Sequence, residues 1–290
     1  MGKTGYYITA SIAGAALLTL IAAGICKGQV QAETTPNQIT SQTLSGQPGS
    51  VTATDQLAAG LATVSGQENE KEQDSFIVVI DAGHQNRANN KKEPIGPGAA
   101  QKKAKVTGGT RGCVTCLYEY ELNLSVALKL QTLLEDRGYT VIMVRTTNDV
   151  DISNAERAQI ANEAQADAFI RIHANSSEKA SIHGAMTICQ TAKNPYNGEL
   201  YEQSKALSTH VLDEVVATTG CKRQRVWETD TMSGVNWAQV PVTIVEMGFM
   251  SNPKEDRRMA TDEYQEKIAE GIANGIDAYF DEIVENSEKT

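Results

Sequence analysis

The chain has 290 residues, 40% hydrophobic and 21% charged, enough to bury one substantial core. Its formal net charge of −10 and pI near 5.0 argue against a nucleic-acid protein, which presents a basic face. Only four histidines and five cysteines are present, so any imidazole or thiolate chemistry must draw on few residues.

The segment Tyr6–Cys26, "YYITASIAGAALLTLIAAGIC", carries no charge and lies between Lys3 and Lys27. Its length is close to the ~20 apolar residues of a membrane helix and also suits a secretory signal. Residues 1–32 are therefore expected to be a signal peptide, cut after Val30-Gln31-Ala32, or an uncleaved membrane anchor. Cys26 invites a lipoprotein reading, but Ile25 before it is bulky for that processing. Residues 33–74 are rich in Thr, Gln, Ser, Gly and Ala and are expected to be a disordered tether. Residues 75–285 remain as one folded domain, acting outside the cytoplasm, secreted to the wall or held at the membrane.

In that domain "FIVVI", Phe76–Ile80, predicts a buried strand, followed by a long Gly/Pro/Lys-rich loop to Tyr118. Leu122, Val126, Leu130 and Leu133 predict a helix ended by Gly138, with a strand over Tyr139–Arg145. Ser153 and Glu156 form a capping box opening a short helix to Ala164, and "AFIRI", Ala168–Ile172, is the next strand. A strand over Gly184–Cys189, a helix from Leu200 to Thr218, a polar loop between Cys221 and Gln239 and a strand Val242–Glu246 follow. Asn252 and Pro253 start a helix, and Tyr264, Ile268, Ile272 and Ile276 align along the last one. Strands alternating with helices predict an α/β fold: a central mixed or mostly parallel sheet flanked by helices.

Ligand sites in such sheets gather at the carboxyl ends of the strands. Three of those ends here carry ionisable groups: Asp81-Ala82-Gly83-His84, His173-Ala174-Asn175, and Glu246-Met247-Gly248. A catalytic zinc takes three protein ligands and leaves one position open. His84 and His173 supply two, and the third should be a carboxylate or histidine near the same edge, with Glu119 or Glu121 at the start of the helix after the long loop in place for it. Glu246 serves as ligand or as the base that takes a proton from water. Arg157 and Asn162 tie helix to sheet. Asn175 follows a metal ligand and is a possible orienting group for it or for the substrate, with Arg157 also near the site. His183 and His210 are weak candidates. Lys91, Lys92, Lys102, Lys103, Lys105 and Arg111 are solvated charge that also lies between two of the ligands, where anionic polymer would pass.

"IVVIDAGH", "EYELNLSVALKLQTLLEDRGYTVIMVRTTN", "SNAERAQIANEAQADAFIRIHANSS" and "VPVTIVEMGFMSNPKEDRRMATDEYQEKIAEGIANGI" together resemble the zinc-dependent N-acetylmuramoyl-L-alanine amidases, over essentially all of residues 75–281. The resemblance implies hydrolysis of the amide between the lactyl group of N-acetylmuramic acid and L-alanine in peptidoglycan. It implies Zn2+ held by His84, Glu119 and His173, choosing Glu119 over Glu121, with Glu246 as the catalytic glutamate. The chain is expected to be a monomer whose partners are peptidoglycan and, if the N-terminal segment is uncleaved, the membrane. A zinc peptidase cutting within the stem peptide, or a non-catalytic wall-binding domain, are the competing readings. The C-x-x-C of Cys113 and Cys116 departs from the simplest family pattern, and a bridge between them is expected to stiffen the approach to Glu119.

Overall fold

A computed structural model describes residues 75–289; the expected signal or anchor and the tether lie outside the described residues. No helix among the described residues is long and apolar enough to cross a membrane.

The elements run β1 (Ile77–Ala82), β2 (Asn89–Pro94), β3 (Lys102–Val106), α1 (Glu119–Asp136), β4 (Thr140–Met143), α2 (Asn154–Glu163), β5 (Ala168–Asn175) and β6 (Ala185–Cys189). They continue with α3 (Tyr201–Thr219), β7 (Arg223–Glu228), α4 (Ser233–Asn236), β8 (Val242–Phe249), α5 (Pro253–Met259) and α6 (Asp262–Glu288). Six strands form one sheet in the order β4-β1-β5-β8-β6-β7. The first four are mutually parallel, β6 is antiparallel to β8, and β7 runs parallel to β6. The sheet is mixed and mostly parallel, as the alternating pattern predicts.

Side chains alternate across the strands, so each face has its own core. Ile80, Ile170, Ile172 and Val245 face α1, α3 and α6, while Val79, Phe169, Val242 and Ile244 pack with residues of α2 and α4. The apolar row Ile268, Ile272 and Ile276 is fully buried. Beside it, Gly271 and Gly275 let α6 close on α3: a Cβ at Gly275 would stand 2.4 Å from the Cα of Val211.

Three local expectations hold at atomic detail. Ser153 Oγ accepts from the amide of Glu156, whose carboxylate accepts from the amide of Ser153. Asn252 Oδ1 accepts from the amides of Lys254 and Glu255, with Pro253 at the first helical position. Gly138 follows the end of α1 in the left-handed region, φ 88°.

Two loops carry more structure than expected. The Lys-rich stretch contains the antiparallel β2–β3 pair, and the polar stretch after Cys221 contains β7 and α4. These strands are more polar than the central ones because of where they lie: β2–β3 is outside the main sheet and β7 is its edge, where charges discourage further pairing. The hairpin is docked at its base, where Trp237 Nε1 donates to the carbonyl of Pro94 and Lys103 Nζ to that of Thr231.

Candidate active site

The site lies where β1 ends and β5 and β8 continue. His84 leaves β1 with φ 62°, a left-handed conformation that costs a non-glycine residue roughly 1–2 kcal/mol. A clamp on the backbone carbonyls holds it there. Arg145 and Arg157 donate to the carbonyl of Ala82, Asn123 and Arg145 to that of Gly83, and Arg157 to that of His84. Arg157 and Arg145 are buried, and Asp81 accepts from Arg157 at 2.6 Å. The clamp thus rests on a buried ion pair.

The His84 ring donates from Nδ1 to the carbonyl of Thr107 at 2.9 Å, which leaves the Nε2 lone pair free to face inward. Glu119, the first residue of α1, is oriented by two amides: Oε2 accepts from Thr110 at 2.7 Å and Oε1 from Ala174 at 3.1 Å. Glu121 instead reaches back to the amide of Tyr118 and closes the helix start. His173 stands within β5, its ring over Gly83. A Cβ at Gly83 would lie 2.2 Å from His173 Cε1, so only glycine leaves room for the imidazole.

These residues bring three inward-facing atoms together. His84 Nε2 and Glu119 Oε1 are 3.0 Å apart, His173 Nδ1 and Glu119 Oε1 3.2 Å, and the two imidazole nitrogens 3.1 Å. Zinc held tetrahedrally at about 2.0–2.1 Å separates its ligands by about 3.3 Å, so the cluster matches the edge of such a polyhedron. Burial pushes the His173 imidazole down to about 4, outweighing its bond to Glu119, so both its lone pair and its neutrality suit a cation. Burial pushes the Glu119 carboxyl up, but the bonds from His173 and His84 hold it well below the usual carboxylate range. Two imidazoles and one carboxylate are a donor set for zinc with one position to spare.

Glu246 pairs with His173 across the β5–β8 ladder and faces the same groove. Its Oε2 is cut off from solvent and has no hydrogen-bond partner among the described residues. Burial, with the Glu119 charge adding to it, pushes the Glu246 carboxyl up to about 8. The groove of about 410 Å³ holds His84, His173 and Glu246 on its floor and Lys92 and Lys102 of the hairpin on its wall. His173 and Glu246 sit inside their strands, not at the ends, because β5 and β8 run on to Asn175 and Phe249.

Other expectations fare differently. Arg157 touches no inward-facing ligand atom and acts through the backbone of His84. Asn162 donates to the carbonyl of Trp237, tying α2 to α4 rather than to the sheet. Asn175 is not an orienting group for His173: its Oδ1 accepts from the amide of Ser176 and its Nδ2 approaches Met186 Sδ at 3.5 Å. His183 lines a separate cavity of about 820 Å³ beside Lys222 and Lys254, and His210 pairs with Glu282 on the surface at 2.5 Å. Cys113 is an exposed free thiol, so the expected Cys113–Cys116 bridge does not form. The sequence pattern passed over Thr107, Asn123, Arg145 and the buried Arg171. The signal for Arg171 was present, since a charge two residues before His173 in an otherwise apolar strand shares its face.

A family described as N-acetylmuramoyl-L-alanine amidase matches residues 78–278. The amidase LytC of Bacillus subtilis is 30% identical over 164 residues, which is 57% of this chain but 32% of LytC. The germination-specific N-acetylmuramoyl-L-alanine amidase of the same organism is 27% identical over 57% of this chain and 72% of its own length. The apo crystal structure of Ami1, an N-acetylmuramyl-L-alanine amidase from Mycobacterium abscessus, superposes with a TM-score of 0.65 at 26% identity. It covers 71% of this chain and 98% of Ami1. With the family spanning more than two thirds of its length and the whole catalytic fold, this chain belongs to the N-acetylmuramoyl-L-alanine amidases of the amidase 3 family.

Proposed function

We propose that this enzyme is a zinc amidase in which His84 Nε2, Glu119 Oε1 and His173 Nδ1 hold the metal and Glu246 is the catalytic base. The observation that carries the proposal is the convergence of those three atoms within 3.0–3.2 Å beside the half-buried carboxylate of Glu246, one oxygen of which has no partner among the described residues. Zinc bound there supplies a Lewis acid that polarises the scissile carbonyl and acidifies water.

The chain's own groups do the rest. Thr107 and the clamp of Asn123, Arg145 and Arg157 keep His84 in one tautomer and one orientation. Glu119 brings the compensating negative charge. Glu246, whose carboxyl is pushed up by burial and by the Glu119 charge, takes a proton from the attacking water and delivers it to the departing alanine nitrogen. Its carboxyl sits near the operating pH, where a group both accepts and releases a proton effectively. The products are a muramic acid carboxylate and a stem peptide with a free amino terminus.

The enzyme acts outside the cytoplasm on bacterial cell wall, carried there by its N-terminal segment, and works as a monomer. Zinc analysis of the purified domain, combined with product identification from a wall digest, tests the reading. Release of intact stem peptides with new alanine amino termini supports it, whereas shortened peptides still attached to glycan refute it in favour of a peptidase.

A further inference from the structure

Three arginines surround the foot of the site, and they differ in one respect. Arg157 donates from Nε to Ile152, from Nη1 to Asp81 and Ala82, and from Nη2 to His84 and Gln85. Arg145 donates from Nε, Nη1 and Nη2 to five acceptors. Arg171 is only 3% exposed, yet it spends Nε on Asp81 and Nη2 on Asn154, both at 2.9 Å, and makes no bond from Nη1 among the described residues. A guanidinium has five N–H donors, so two of them stay available at Nη1. That nitrogen lies against the backbone of Gly234, where a Cβ would stand 1.9 Å from it, and Arg171 and Gly234 both line the groove of His173 and Glu246.

The charge count points the same way. Asp81 is shared between Arg157 and Arg171. Glu93, the nearest other carboxylate, is engaged by the amide of Ala155. Among the described residues, the groove is lined by Lys92, Lys102, Lys103 and Arg171 against a single carboxylate, Glu246. In a chain of net charge −10, this groove is cationic by local construction.

Distance selects the ligand. Alternate residues of a strand stand about 6.6–7 Å apart, which is the offset between Arg171 and His173 on their common face. From a scissile lactyl carbonyl, the α-carboxyl carbon of the residue after alanine lies about 7 Å away in an extended peptide.

Building on the amidase reading above, we propose that Arg171 is a specificity residue whose free Nη1 edge binds a free α-carboxylate on the second stem-peptide residue. Gly234, which has no Cβ, is what leaves room for that nitrogen at the groove. Guanidinium suits the task because its charge persists at every working pH and its Nη1 donors are held in a fixed plane by the bonds at Nε and Nη2. Converting that carboxylate to its carboxamide removes the charge and replaces one of its two acceptor oxygens with a donor.

The test compares N-acetylmuramoyl-L-alanyl-D-glutamate with N-acetylmuramoyl-L-alanyl-D-isoglutamine. The wild-type enzyme is expected to favour the acid in kcat/KM by about 10–100-fold, mainly through KM. Arg171→Gln should bring the ratio to within about twofold, losing far more on the acid than on the amide. Arg171→Lys, which keeps a cation beside Asp81, should fold and leave an intermediate ratio. Equal wild-type rates on the two substrates overturn the proposal, as does a preference that survives in Arg171→Gln. If the wild type cleaves neither compound, the amidase reading fails. Calorimetric binding of L-alanyl-D-glutamate against L-alanyl-D-isoglutamine then still decides the Arg171 assignment, tighter acid binding upholding it and equal binding sinking it.

Discussion

Replacing Glu246 with glutamine separates chemistry from metal binding and reads the dryness of the site directly. The carboxyl, ordinarily near 4.5, is pushed up to about 8 by burial. At pH 7 folding without metal must therefore keep a proton on Glu246 that the unfolded chain has released. That costs about 1.4 kcal/mol for each pH unit between 4.5 and 7, or about 3 kcal/mol as an upper value. The sign follows from the raised carboxyl. Below the unfolded value both states are protonated and nothing is lost; stability then falls as pH rises toward 8 and levels off above it. Glu246→Gln removes this dependence, so the chelated variant is expected to melt several degrees above the chelated wild type at pH 7 and equally at pH 4. Its zinc content should stay near one per domain, while turnover of purified wall falls by about 10²–10⁴-fold. The assays are metal analysis, release of new amino termini from wall, and thermal melts in chelator at the two pH values. Near wild-type turnover refutes Glu246 as the base. Loss of zinc makes it a ligand instead, and identical melts at pH 7 refute the buried-carboxyl argument.

Gly83→Ala places a methyl 2.2 Å from the His173 ring, so zinc affinity should fall at least tenfold while far-UV circular dichroism stays native. Asp81→Asn strips the charge from a carboxylate bonded to Arg157 and Arg171, and should cost about 3–5 kcal/mol in denaturant melts at pH 7. Burial opposes ionisation of Asp81, but the two arginines hold its carboxyl well below the usual range. The stability it contributes is therefore present at neutral pH and lost as pH drops below about 4, and the acid limb should flatten in the variant. Gly275→Ala drives a Cβ to 2.4 Å from the backbone of Val211 and should destabilise by about 1–3 kcal/mol without changing zinc content, read by melting and metal analysis. In the folded protein exposed Cys113 should alkylate, more slowly than an unperturbed thiol because burial and the Asp256 charge push it up, whereas Cys189, buried and pushed up to about 11, should react only on unfolding.

Much of this was legible along the chain because the signals are local. The buried β-branched runs of β1, β5 and β8, the capping box at Ser153 and the apolar row of α6 each depend on residues within a few positions of one another. The hairpin β2–β3 and the edge strand β7 escaped notice because their side chains face solvent, which erases the alternation that marks a strand. His84, His173 and Glu246 stood out as ionisable groups closing apolar strands, and resemblance to a known family selected Glu119 over Glu121. The structure accounts for that choice, since Glu121 is occupied at the helix start.

The sequence by itself determined the core strands and which residues can donate lone pairs, because buried apolar runs and residue chemistry are properties of the covalent chain. Only the tertiary structure decided that Glu119 turns inward onto two imidazoles, and that the carbonyls of residues 82–84 are gripped by Asn123, Arg145 and Arg157. It alone shows that Arg171 keeps one edge free beside Glu246. These facts depend on directions and on the distribution of a limited set of donors among acceptors dozens of residues apart, which no spacing along the chain encodes.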